Sequence, residues 1–599
     1  MVHPQRERDS TRCGDVGDGF REDLERRRLT ATPTPTAPER PFRLGGFATL
    51  TEALDFAAQG PTGVNLYGLR GELVEAIPYT ELRRRALALA ARMLAAGLKT
   101  HDRVGLVAEA DADFVTAFFA CQYARLTPAP LPLPAALGGR DAYVEQISRM
   151  LGSAKAAAVF GPEALLPWLQ DAATSVGVGM ALKVSDLPEA PAVDLPAPQP
   201  EDPCYVQFSS GSTRNPTGVL CTHAALMANT LAITRHGLKV VPEDRAFSWL
   251  PLYHDMGLVG FLMSPLAAQM TVDLMPTGAF VRRPLLWLDL MSKNKATVSY
   301  SPSFGYDLCA RRGDGTREGL DLSAWRIAGC GGDMVRPGPL LAFAERYAAA
   351  GFTEKAFVAS YGMAEATLAL TMAPLDTGLV FDTVDVDRME RDGDVVAGSG
   401  ARSRAFVRCG PVLPEHELEV RDDAGKPVAE RRVGRIFVRG PSLMKGYFGE
   451  VEASARVLSA DGWLDTGDLG YLTDGEVVPT GRAKDLILLN GRNVWPQDLE
   501  WTAESEVERL RSGDVAAFSI DQEAGEELVV LVQARSSDPE VRRTLTDDVA
   551  AVLRARHGVE ARVELVGAHA LPQTSSGKLS RSKARLLFLA GAFRQEEPA

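Results

Sequence analysis

The sequence predicts an α/β protein. It has a large N-terminal body of several subdomains, layered α/β with a small β-barrel-like part, and a small α+β C-terminal domain. Three observations carry this. Strand-like and helix-like segments alternate from about residue 80 to about residue 370. Residues 411–440 then change to short strands around turn residues. The stretch 481–599 again mixes both kinds of segment, in a length that suits one compact domain.

The elements follow in chain order. Residues 1–42 read as a disordered tail. Their first part is rich in Arg, Asp and Glu, and 29–41 is largely Thr, Pro and Ala. Neither part buries enough apolar surface to offset the entropy of ordering. Thr80 is expected to cap a helix over 81–98, with Leu82, Ala86, Leu89 and Met93 on one face. A strand is expected over 104–108. A strand-like run at 205–208 opens into a loop of Ser, Thr and Gly, and a helix-like segment covers 223–238. Strands are expected at 417–420 and 436–438 around the turn 422–425, then a strand at 528–534 and a helix at 545–556. No internal repeat is visible.

Composition excludes several classes. Hydrophobic residues make up 45% and charged residues 24% of the 599, so collagen-like, coiled-coil and wholly disordered chains are out. The 65 Lys and Arg against 78 Asp and Glu leave a net charge of −13. That disfavours sequence-independent nucleic-acid binding, which needs cations to neutralise phosphates. The 7 cysteines are scattered and never form C-x-x-C, so neither a disulfide framework nor a zinc site is expected. The longest uncharged apolar run near the middle, 258–270, falls short of the ~20 residues of a membrane span. The N-terminus lacks the apolar stretch of a secretory leader. These features are read as a reduced, cytoplasmic chain without an integral membrane segment.

The strongest local signal is Tyr205-Val-Gln-Phe-Ser-Ser-Gly-Ser-Thr-Arg-Asn-Pro-Thr-Gly-Val219. Hydroxyls, backbone N–H groups and missing side chains let a polyphosphate approach closely. Six residues separate Gly211 from Gly218, and no Lys-Ser/Thr follows, so it is not a Walker A loop. Alone, the loop reads equally well as a flexible linker or as a phosphate cradle.

Four further signatures follow it: Tyr361-Gly-Met-Ala-Glu365, Leu464-Asp-Thr-Gly-Asp468, Gly481-Arg-Ala-Lys-Asp485 and Leu571-Pro-Gln-Thr-Ser-Ser-Gly-Lys578. Five in this order resemble the adenylate-forming superfamily of acyl-CoA synthetases, luciferases and adenylation domains, over nearly everything from residue 43 onward. Within it the chain resembles the fatty acyl-AMP ligases. That likeness rests on Trp249-Leu-Pro-Leu-Tyr-His-Asp-Met-Gly-Leu258, on Leu320-Asp-Leu-Ser-Ala-Trp-Arg326, on Gly491-Arg-Asn-Val-Trp-Pro-Gln-Asp498 and on Arg214. It also rests on a segment at about 375–404 that resembles the insertion by which these ligases hinder CoA acceptance.

The resemblance implies an adenylate-forming fold with a body at 43–480 and a mobile lid at 481–599, hinged at Lys484. It implies activation of a fatty acid by ATP and Mg²⁺ to acyl-AMP, with pyrophosphate released. The acyl group would then pass to the phosphopantetheine thiol of a separate acyl carrier protein. By the same resemblance Ser209, Ser210, Gly211, Ser212 and Thr213 hold the departing phosphates. Glu365 binds Mg²⁺, and Lys578 bridges carboxylate and α-phosphate. Asp468 accepts the ribose hydroxyls, and Arg482 adds a ribose or phosphate contact. Tyr361, with Gly362 in its motif, stacks on adenine, and Gly332 and Asp333 lie at the base. His254 orients the acyl carboxylate. The chemistry suits these residue types. Two anions must meet, which calls for cations and N–H donors where charge builds. An ammonium is a compact point charge, and Mg²⁺ prefers a carboxylate with phosphate oxygens.

Some positions depart from the pattern. Thr217 stands where a lysine is usual, which implies a weaker phosphate contact. Cys330-Gly-Gly-Asp333 shortens the usual carboxylate. Arg435 and Trp495 replace a usual Glu and Tyr. Tyr300, Phe304 and Met256 read either as an acyl tunnel or as ordinary core. The alternative activity is acyl-CoA synthesis, and a non-catalytic adenylate-binding scaffold is the reading from another class. A serine hydrolase is disfavoured because no G-x-S-x-G elbow occurs.

Overall fold

Short runs of small and β-branched residues build the centre of the molecule. The computed structural model describes residues 42–134, 139–209, 216–400, 402–489, 492–522, 525–573 and 579–593. Its largest sheet has eight strands in the order Ala369–Met372, Phe357–Gly362, Ile327–Cys330, Val298–Ser301, Arg245–Ser248, Thr271–Leu274, Gly63–Tyr67 and Leu73–Pro78. The six inner strands run parallel and the two edges antiparallel. All four residues of Ile327–Cys330 are buried, as expected of a parallel strand covered on both faces.

Aromatic residues fill the layer beside this sheet. Trp287, Tyr306, Trp325, Phe343 and Phe357 meet largely edge to face. Their polar atoms are satisfied on the strands: Trp287 Nε1 donates to Ser299 Oγ, Tyr306 Oη to the Gly329 carbonyl and Trp325 Nε1 to the Ile327 carbonyl. A second, all-parallel sheet joins Thr127–Leu131, Arg103–Val107, Ala156–Phe160 and Met180–Leu182.

The β-rich stretch is a four-stranded antiparallel sheet of Glu417–Arg421, Gly434–Arg439, Leu464–Thr473 and Glu476–Arg482. The turn at 422–425 closes with Gly425 N donating to the Asp422 carbonyl. Phe381–Asp385 pairs with Ser403–Val407, so most of the 375–404 segment is a strand pair enclosing the helix Val386–Asp392. Beyond residue 486, a three-stranded sheet of Val515–Gln522, Gly525–Ala534 and Arg562–Gly567 packs with the helices Pro496–Glu506 and Pro539–His557. Two apolar clusters there are built wholly from residues 487–593.

Two local expectations change. Thr80 does not cap its helix, which starts one residue earlier, at Tyr79. Pro78 takes the cap position, and the Thr80 hydroxyl instead donates to the Ala58 carbonyl at 2.6 Å. The helix expected over 223–238 is α-helical only for His223–Leu231 and continues as a π-helical turn, Ala232–Gly237. The apolar run 258–270 is buried as the π-helical turn Val259–Met263 and the short helix Ser264–Ala267. Among the described residues no helix is long and apolar enough to cross a membrane. The six described cysteines are buried and none forms a disulfide.

Buried ion pairs join the strand pair at 381–407 and its neighbours to the C-terminal region. Glu390, 2% exposed, accepts from Arg402 at 2.8 Å and from Arg492 at 2.6 Å. Arg404 pairs with Asp498, and Arg336 pairs with Glu504 at 3.0 Å. Trp495 packs with Val384, Met389, Phe406 and Tyr471 in a small apolar cluster beside them.

Candidate active site

The carboxyl ends of parallel strands open a crevice, the usual place for a ligand in an α/β sheet. Here Gly331 and Gly332 follow Ile327–Cys330, and Tyr361 and Gly362 end Phe357–Gly362. All four line one cleft with about 750 Å³ of empty space, part of it open to solvent. Gly332 has φ +78°, a turn that a side chain would strain. Asp333 uses one carboxylate oxygen to accept from Met334 N at 2.9 Å.

Tyr361 ties this sheet to the antiparallel one. Its hydroxyl donates to Asp468 Oδ2 at 2.9 Å. Burial pushes the phenol pKa well up, and the Asp468 charge adds to that. Asp468 sits opposite Arg482 in the register of neighbouring strands, with Arg482 Nε 3.7 Å from Asp468 Oδ1. Burial alone lowers the Arg482 pKa, but Asp468, Asp485, Asp333 and Glu365 outweigh it and raise the pKa overall. One guanidinium thus feels four carboxylates, of which Asp333 and Glu365 come from the loops after two strands of the large sheet. Lys484 lies in the next turn, Ala483–Asp485, where burial first and Arg482 second lower its pKa.

Glu365 follows the Tyr361 strand in the turn Ala364–Ala366. It accepts from Tyr447 Oη at 2.9 Å, and its own carbonyl accepts from Met444 N at 2.7 Å. Burial, helped by the charge of Asp255, pushes its pKa up. His254 stands at the start of the short helix Asp255–Leu258, with Nδ1 2.5 Å from Asp255 Oδ1. Asp255 lines the cleft. Among the described residues no group of three or more His, Cys, Asp or Glu could hold a metal.

The structure therefore brings Tyr361, Asp468 and Arg482 together, with Glu365 and Asp333 within electrostatic reach. Gly332, Tyr361 and Gly362 border the cleft itself. Ser209 ends the strand Pro203–Ser209, in register with Thr217. Ser210, Gly211, Ser212, Thr213 and Lys578, with Arg214, lie outside the described residues. Of the three residues read as tunnel or core, Met256 and Tyr300 line the cleft, whereas Phe304 packs edge-on against Trp249. Tyr300 lies against Gly329, where a Cβ would come within 2.0 Å of the ring. Sequence reasoning gave no role to Asp255 or Tyr447. Asp255 stood inside a quoted motif, whereas nothing local marks Tyr447.

A family model described as AMP-binding enzyme matches residues 57–448. A putative acyl-CoA synthetase of Caulobacter vibrioides is 64% identical, over 94% of this chain and 98% of that one. A medium-chain-fatty-acid–[acyl-carrier-protein] ligase of Moorena producens is 30% identical, over 92% of this chain and 97% of that one. A solved structure from a study of fatty acyl-adenylate ligases of E. coli and L. pneumophila superposes with a TM-score of 0.88. It is 44% identical and covers 92% of this chain and 100% of that one. The chain belongs to the AMP-binding, adenylate-forming enzymes and is a ligase of that family.

Proposed function

We propose that the protein activates a fatty acid with ATP to acyl-AMP, releases pyrophosphate, and hands the acyl group to the phosphopantetheine thiol of a separate acyl carrier protein. One observation carries the first half. An apolar cleft along the large sheet has Tyr361 at one end, and Tyr361 is bonded to Asp468, which pairs with Arg482. In the first step a carboxylate oxygen of the acid attacks the α-phosphorus, and the bond to pyrophosphate breaks. Asp468 holds the ribose diol, since a carboxylate offers acceptor pairs on both oxygens. Arg482 sits beside it as the fixed cation. Gly332 and Asp333 border the base, and Tyr361 lies along it. His254, aligned by Asp255, orients the acid. Ser209 to Thr213 cradle the leaving phosphates, and Lys578 neutralises charge at the reacting oxygens. In the second step the thiol sulfur attacks the acyl carbon and AMP departs.

Mg²⁺ fits at Glu365. Burial raises the energy of this partly enclosed carboxylate, and a cation relieves that cost. An ion held there by one carboxylate takes its other ligands from phosphate and water, and it supplies charge neutralisation when bound.

We further propose the division into a body at 43–480 and a lid at 481–599 turning about Lys484 after adenylation. The buried pairs Arg404–Asp498 and Arg402–Glu390–Arg492 support a restraint on that turn by the 375–404 segment. A carrier thiol at the end of a long arm is then favoured over CoA. The second reading, acyl-CoA synthesis, is favoured by the 64% identity to the Caulobacter protein.

The test is a panel of carboxylates of different length with ATP and Mg²⁺, offering CoA or a phosphopantetheinylated carrier, with mass detection of the products. Acyl-AMP and acyl-carrier are expected. Efficient acyl-CoA formation by the intact protein overturns the acceptor assignment. Deleting 375–404 is a poor probe, because it removes a strand and the buried Val384 and Met389. Arg404→Met with Asp498→Leu is expected to relax the same contact while keeping the fold, since it replaces the buried pair with apolar side chains.

A further inference from the structure

The cleft extends well beyond the nucleotide cluster. In the strand register Val298 lies level with Ala246, and Ser301 level with Cys330 and Ala359. Tyr361 is two residues further along its strand, so five steps separate it from Val298. At ~3.3 Å per residue that is about 16 Å along the sheet. Both Tyr361 and Val298 line the cleft, as do Ala246 and Met270. Met270 N donates to the Pro265 carbonyl, which puts Pro265 and its neighbour Ser264 at the far end, below the strand Thr271–Leu274.

That end is apolar except for two hydroxyls. Ser264 lines the cleft, is 2% exposed, and its Oγ has no hydrogen-bond partner among the described residues. Thr234 lines it too: Val240 N, shortly before the strand Arg245–Ser248, donates to its carbonyl at 2.8 Å, and its own hydroxyl donates to the Thr230 carbonyl at 2.7 Å, so its oxygen offers an acceptor only. The polar groups nearer the nucleotide end are engaged. Tyr300 Oη meets Ser360 Oγ at 3.3 Å, and Asp255 binds His254. Thr234 lies within the π-helical turn Ala232–Gly237, and Ser264 directly follows the π-helical turn Val259–Met263. Such turns recur at functional sites because they widen the helix and re-aim its side chains.

A buried hydroxyl left unsatisfied costs free energy. Two side-chain hydroxyls are the fewest that hold a water, whereas an alcohol oxygen, with a single O–H to place, is satisfied by the same two more completely. We infer that the far end of the cleft is a polar subsite, and that the acid substrate carries a hydroxyl on its tail which Ser264 binds, with Thr234 as acceptor. This rests on the acid-activating reading and adds the class of acid: a hydroxylated fatty acid rather than a plain one. The hydroxyl is a recognition handle and takes no part in bond making.

The experiment uses the full chain with ATP and Mg²⁺. Dodecanoate is compared with a set of its hydroxylated isomers, the hydroxyl placed from mid-chain to the terminus. Pyrophosphate release gives kcat and KM, and mass detection confirms the acyl-AMP. The expected result is a kcat/KM about tenfold higher for one hydroxyl position than for dodecanoate, the size of one net hydrogen bond. Ser264→Ala is expected to bring that ratio close to one, mainly through KM, and Thr234→Val to reduce it less. Thermal unfolding of each variant identifies any loss that comes from misfolding, and the wild-type comparison stands without the variants. If dodecanoate and every isomer react alike, or if Ser264→Ala keeps the preference, the subsite is refuted while acid activation survives. Absence of acyl-AMP from every acid refutes the activation reading and the subsite with it.

Discussion

The layer beside the large sheet and the junction around Arg404 are both buried, yet they are held in opposite ways. In the first, Trp287, Trp325, Tyr306 and Phe343 pack largely edge to face, and their few polar atoms are bonded to neighbouring strands. Such packing loses contacts steeply when opened and offers no alternative state. In the second, Arg404, Asp498, Arg336, Glu504 and Glu390 are charges taken out of water. Burial lowers the Arg404 pKa and raises Asp498 to about 6 and Glu504 to about 7, so the pairs recover only part of the desolvation cost. The sheet layer is a fixed floor for the cleft. The junction is specific in register but poor in net stability, which suits a contact that releases if the proposed lid turns.

Substitutions can break or sharpen that contrast. Trp287→Ala removes a fully buried ring and is expected to cost about 3–5 kcal/mol, read by denaturant unfolding. Arg404→Met alone leaves Asp498 without its cation and is expected to cost about 3 kcal/mol at pH 8, and less at pH 5, where Asp498 takes up a proton. A pH-independent cost equal to that of Trp287→Ala would erase the distinction between the two regions.

The junction also sets a pH dependence. The folded pKa of Glu504 lies above its ordinary value of 4.5, chiefly through burial, with Arg336 opposing. The unfolded chain therefore loses this proton first. The stabilising difference is complete below about pH 4.5 and is lost as pH rises toward about 7. Asp498 acts in the same direction over a lower window. Glu504→Gln should flatten the wild-type decline in unfolding free energy across that range. An unchanged slope would remove Glu504 as its source. The smallest effect is expected from Arg404→Met together with Asp498→Leu. Replacing the whole pair by apolar side chains should shift stability by less than about 1 kcal/mol while raising the yield of acyl-CoA.

Much of this was legible in the sequence because it is local. Ordered motifs mark Tyr361, Glu365, Asp468 and Arg482, and each lies on a strand of the sheets that meet there or in the turn after one. The helix face of Leu82, Ala86, Leu89 and Met93 is buried as its spacing requires. What stayed hidden depends on distant partners. Arg336 and Glu504 stand 168 residues apart, and Tyr447 reaches Glu365 across 82. No pattern in one chain encodes such a meeting. The π-helical turns were also invisible, since 223–238 reads as ordinary helix and 258–270 only as an apolar run until the extra backbone residue is seen. Ser264 falls within the run 258–270 with nothing in the sequence to mark it, and only its burial without a partner among the described residues sets it apart.

The central claim is that a fatty acid and ATP react here to give acyl-AMP, with Lys578 neutralising charge at the reacting oxygens. Exchange of labelled pyrophosphate into ATP tests it most directly. The account predicts exchange that requires a fatty acid and Mg²⁺ and that disappears in Lys578→Ala, while ATP still binds that variant. Absence of exchange with every fatty acid, or full exchange in Lys578→Ala, would contradict it.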